Sequence, residues 1–146
     1  MGMLANLLIA DADAADDILK SDNPDSEWEG FNFQGMDNIK FDTLLSILSS
    51  NSSKQDYDKW SKSILSKDNN EEGPWLFSFS DNAVKLLSTI AAKEDDEVLS
   101  LSNTWAATEE FEGWAKEDIL ELLRSTGDLA ETAILEEKTL FLWISL

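Results

Sequence analysis

The residues of this chain best placed to do chemistry are carboxylates set among aromatic rings. In "SNTWAATEEFEGW" (102–114), Glu109, Glu110 and Glu112 are interleaved with Trp105, Phe111 and Trp114. Two chemistries suit that mixture. Paired carboxylates can act as acid and base on a glycosidic bond while an indole forms a sugar platform. Glu109 or Glu110 would then be the acid, with Trp105 or Trp114 as platform. The same mixture can instead form an aromatic anchor rimmed by negative charge, which suits a basic protein surface. The enzyme reading needs one carboxyl raised by burial, whereas adjacent glutamates at a helix end point into water. The spacing therefore favours a rim over reagents.

Other chemistries fall away on composition. The chain has no histidine and no cysteine, which removes the usual general base near neutral pH, disulfides, thiolates and Cys-ligated metals. Its glycines stand at 2, 30, 35, 73, 113 and 127, too scattered for a phosphate cradle or dinucleotide fingerprint. There is no Gly-x-Ser-x-Gly elbow, and no lysine lies three residues after a serine. No cofactor is called for. The cluster "DADAADD" (11–17) suits a hard cation by composition. An EF-hand counted from Asp11 would need glycine and glutamate where Asp16 and Asp22 stand. Asp13, Asp16 and Asp17 could line one side of a short helix and hold a divalent ion loosely. They read more simply as a solvated helix start, as does "EDDE" (94–97).

Charge narrows the partners. The formal net charge is −19, from 30 acids and 11 bases. Residues 1–37 carry nine acids and one base, 38–93 seven of each, and 94–146 fourteen acids and three bases. Such a chain repels nucleic-acid phosphates and anionic membranes, and its natural counterpart is a basic protein. The acids could also serve solubility alone. No stretch approaches the ~20 apolar residues of a membrane span. "MLANLLIA" (3–10) lacks a basic lead and makes a poor signal peptide, and Asn6 spoils the myristoylation pattern. A cytoplasmic protein is expected.

The elements that must position these residues follow from periodicity. "GMLANLLIA" (2–10) reads as a buried strand, and Asp11 or Asp13 can cap a short helix through Lys20. "SDNPDSEWEG" (21–30) is turn-rich. Asp37 or Asn38 can cap a helix to about Ser50 with Phe41, Leu44, Leu45 and Leu48 on one face. A polar loop (49–56) precedes a helix over 58–67 that pairs Trp60 with Ile64 and Leu65; "DNNEEGP" (68–74) then breaks the chain. "WLFSFS" (75–80) reads as a strand, and Ser80 caps a helix carrying Val84, Leu87, Ile90 and Ala91. Asp95 to about Thr108 continues with Val98, Leu101 and Trp105, which makes Trp105 core and Phe111 with it. After Gly113 a helix carries Ile119, Leu120, Leu122 and Leu123 and stops at Gly127. A short helix (128–138) buries Leu129, Ala130, Ala133 and Ile134, and "TLFLWIS" (139–145) is the last strand. The expected architecture is α+β over residues 1–146. It is a mostly helical single domain with a small sheet from the N-terminal, central and C-terminal strands.

The opening "MGM" with its apolar strand, and the close "LAETAILEEKTLFLWISL", resemble the YfbM-like family of uncharacterised bacterial proteins. That resemblance implies helices against a small sheet and brings no catalytic residues with it. The small, acidic, cysteine-free character is similar to that of bacterial immunity proteins, which implies a toxin as the basic partner. The expected contact gathers Glu109, Glu110, Phe111, Glu112, Trp114, Glu117, Asp118 and Glu121, with Trp114 partly exposed beside Gly113. A carboxylate-based hydrolase, glycosidase-like or metal-assisted, and an assembly protein are the alternatives.

Overall fold

The computed structural model describes residues 4–21, 27–34, 38–48, 61–64, 75–108 and 114–145. At its centre stands β1 (Leu4–Ala10), whose near-continuous apolar run suits a strand covered on both faces. It pairs antiparallel with β5 (Thr139–Ser145) on one side and with β2 (Glu29–Gln34) on the other. Beyond β5 come β4 (Trp75–Phe79) and β3 (Ser61–Ile64), so the antiparallel sheet runs β2-β1-β5-β4-β3. The three strands expected from the sequence are its contiguous middle. The fold is α+β.

Alternation along β1 separates two cores. Ala5, Leu7 and Ile9 face the larger one with Leu140, Leu142 and Ile144 of β5, while Leu8 and Ala10 face a smaller one with Phe141 and Trp143. The smaller face is covered by α1 (Ala15–Lys20) through Ile18, after a 3-10 turn at Ala12–Ala14. Asp11 makes no side-chain cap there, contrary to expectation; the extra 3-10 turn displaces the helix start to Ala15. The larger face is covered by α2 (Asn38–Leu48), α3 (Asp81–Ser88), α4 (Asp95–Ala106) and α5 (Lys116–Leu135). Ser80 does cap α3, accepting a hydrogen bond from the Ala83 N–H at 3.2 Å.

Further expectations are overturned. Residues 61–64 form strand β3 and not part of a helix. A helix of ten residues is marginal unless a packed face supports it, and here the segment instead supplies ladder partners to β4, with Ile64 opposite Leu76. Gly127 does not stop a helix, because α5 runs unbroken from Lys116 to Leu135. Gly127 is buried where α5 crosses the turn after α3, and a Cβ there would stand 2.8 Å from Ile90 Cβ. The glycine serves close approach. The helix ends at Leu135 and the chain leaves it through Glu137, with φ 56, where the Lys138 N–H reaches the Ala133 carbonyl at 2.8 Å and the Glu137 N–H reaches the Ile134 carbonyl. Ile134, expected in the core, is 44% exposed near that end. The loop at 49–56 and the break at 68–74 lie outside the described residues.

Candidate functional site

Strand β2 places the first wall of the site. Phe31 pairs with Leu7 in the β1–β2 ladder and so faces the larger core, against which it is partly buried. Gly30 permits this pairing, since a Cβ there would lie 2.2 Å from the Leu7 carbonyl oxygen. Across from β2 begins α5. Ala115, in extended conformation, precedes its first turn, and Glu117 and Asp118 occupy that turn, where negative charge is favoured by the helix dipole. Trp114, just before it, packs its ring partly against the larger core.

Asp118, Glu121, Leu122 and Ser125 recur at the three- and four-residue spacings that put them on one side of α5. That side, Trp114, Phe31 and Asn32 enclose an open cleft of about 360 Å³. Leu122 is buried, whereas Asp118 and Glu121 are exposed. Neither carboxylate meets a cation among the described residues. The nearby base Arg124 lies instead against Asp95 of α4 at 3.3 Å, and Lys138 lies 3.7 Å from Glu136. The cleft therefore has two ring-bearing walls and two uncompensated negative charges.

The structure thus brings together Trp114, Asp118 and Glu121 from the expected contact. Glu117 is exposed but does not line the cleft. Glu109, Glu110, Phe111 and Glu112 lie outside the described residues. Trp105 is core, fully buried, with its indole N–H donating to the Lys40 carbonyl at 3.1 Å; it is not a platform. Phe31, Asn32, Leu122 and Ser125 are additions from the structure. The α5 members could have been read from their spacing, but Phe31 and Asn32 needed strand β2 to be recognised.

Asp13, Asp16 and Asp17 are all exposed around the start of α1. Among the described residues no group of three or more carboxylates is arranged to hold a metal ion. A second cleft of about 350 Å³ lies between α3 and the end of α5, floored by Phe79, Val84 and Ala133. Its rim mixes Asp81 and Glu137 with Lys85 and Lys138, so it selects neither sign of charge. No described helix is long and apolar enough to cross a membrane. Comparison of the chain with family models, with curated proteins and with solved structures finds no match.

Proposed function

We propose that this chain is a small, non-enzymatic, cytoplasmic binding protein whose acidic face engages a basic protein. The observation that carries the reading is the cleft at the start of α5, where Trp114 stands beside Asp118 and Glu121 and no described cation answers the two carboxylates. A half-buried aromatic supplies contact energy, and the uncompensated acids supply steering and register. The surrounding charge acts in the same sense. Asp95, Asp96 and Glu97 open α4, Glu117 flanks the cleft, and residues 94–146 hold fourteen acids against three bases.

A toxin is the partner that fits best, neutralised as bacterial immunity proteins neutralise theirs. The test is capture from lysate at low and high salt by the wild-type chain and by a Glu117→Lys, Asp118→Lys, Glu121→Lys variant. The reading expects a basic protein that the wild type retains at low salt, releases at high salt, and the variant fails to retain. Cells expressing that protein alone should grow poorly and recover when this chain is co-expressed. Equal retention by wild type and variant would rule the reading out.

A further inference from the structure

We propose that the cleft between β2 and α5 takes the guanidinium group of an arginine side chain. The assignment rests on the reading of the chain as a binder of basic proteins and says which group is gripped. The first-turn position of Asp118 would by itself be explained by the helix dipole. That explanation does not extend to Glu121, a turn further along, or to the ring-bearing walls at Phe31 and Trp114. Helix positions three apart hold side chains about 5–6 Å apart at their Cβ atoms, so a single cationic group can reach both carboxylates.

The walls decide between the two basic side chains. An ammonium is a compact, strongly hydrated charge, whereas a guanidinium is planar, more weakly hydrated and stacks on aromatic faces. A cleft with an indole, a phenyl ring and two carboxylates offers stacking and forked hydrogen bonding together. Leu122 at its floor gives the apolar stem of the side chain somewhere to lie. The volume, about 360 Å³, stands at the small end of ligand pockets, which run from about 300 Å³ upward. It suits one long side chain better than a folded ligand. Asn32, next to Phe31 on the sheet-edge strand, completes the lining of the cleft on that side.

The test is an amide-resolved NMR titration of the full chain with a capped glycine-arginine-glycine tripeptide, its citrulline analogue and its lysine analogue. Citrulline keeps the shape and removes the charge. The arginine peptide should shift the Trp114 indole N–H and the backbone amides of Phe31, Glu121 and Ser125 saturably. The lysine peptide should bind several-fold more weakly and the citrulline peptide about tenfold more weakly, a factor worth about 1.4 kcal/mol. The Asp118→Asn, Glu121→Gln variant, changed only at exposed positions, should keep its dispersed spectrum and lose the arginine response. Equal binding of arginine and citrulline, equal binding of lysine and arginine, or shifts spread over the acids of α1 and α4 would each overturn the assignment. Because the titration needs no partner, its failure is separable from failure of the functional reading. A negative titration beside salt-sensitive capture removes only the guanidinium site; a positive titration with no captured partner removes only the proposed function.

Discussion

At the scale of single residues, Trp105 fixes how the helical layer meets itself. Its ring is fully buried, lies 6.4 Å from that of Phe41, and its N–H ties α4 to the Lys40 carbonyl of α2. Trp105→Ala should cost about 3–5 kcal/mol by lost burial and cavity formation, read by denaturant unfolding. Trp105→Phe keeps most of the area but gives up the indole hydrogen bond to the Lys40 carbonyl, at about 1 kcal/mol. Asn6 is the opposite case. It is fully buried on β1 opposite Trp143, and among the described residues neither its amide nor the Trp143 indole N–H has a hydrogen-bond partner. Asn6→Leu, close in size and apolar, should therefore raise stability by about 1–3 kcal/mol. A lower melting temperature for that variant would show that the amide is bonded in solution. Trp105 was readable as core because its spacing from Val98 and Leu101 continues a helical stripe, whereas Asn6 was hidden inside an apolar run that only says "strand".

At the scale of elements, the middle of α5 and the turn after its C-terminal end exchange the residue types usually found there. Gly127 sits mid-helix because Ile90 leaves no room for a Cβ, and Glu137 adopts the left-handed conformation that normally falls to glycine at a helix end. In an exposed helix Gly→Ala gains up to about 1 kcal/mol. Here Gly127→Ala should instead lose about 1–3 kcal/mol through overpacking, since the new methyl would meet Ile90 Cβ and Cγ2 and the Ala91 backbone nitrogen. Glu137→Gly should gain, relieving a left-handed backbone worth about 1–2 kcal/mol. Chemical denaturation of the two variants checks the signs. These positions explain why the sequence misled: a glycine after a leucine-rich helix normally marks its end, and nothing local reveals that Ile90 lies beside it. The strands β2 and β3 were hidden for a related reason. Phe31 and Phe33 do alternate, but Gly30 weakens the strand pattern until the close approach of Leu7 is seen. Ile64 at helical spacing from Trp60 imitates a helix that β4 then recruits as a sheet edge.

At the scale of the molecule, the governing quantity is the charge of −19, concentrated in residues 1–37 and 94–146. Self-repulsion at this charge destabilises the compact state, and salt shortens its range from about 30 Å at 0.01 M to about 8 Å at 0.15 M. The melting temperature should rise between those two salt concentrations, and a flat or falling curve would mean that the carboxylates are already compensated. The sign and placement of the charge, and the α+β plan with its three central strands, could be read directly from composition and periodicity. The cleft could not, because its walls come from Phe31 and Asn32 near the start of the chain and from α5 near its end. Only the sheet order, with β2 at the edge beside β1, brings those two segments into one site. Trp114, Asp118 and Glu121 were picked out by type and proximity in sequence, and the fold gives them a common opening.

The most direct test is the affinity of the captured basic protein across a series of salt concentrations, measured by calorimetry for the wild type and for Asp118→Lys, Glu121→Lys. An acidic cleft that grips a cation predicts a wild-type affinity that falls steeply with salt. It predicts at least a tenfold weaker variant with a shallower salt dependence. Superimposable curves for the two proteins would contradict it and move the contact elsewhere on the surface.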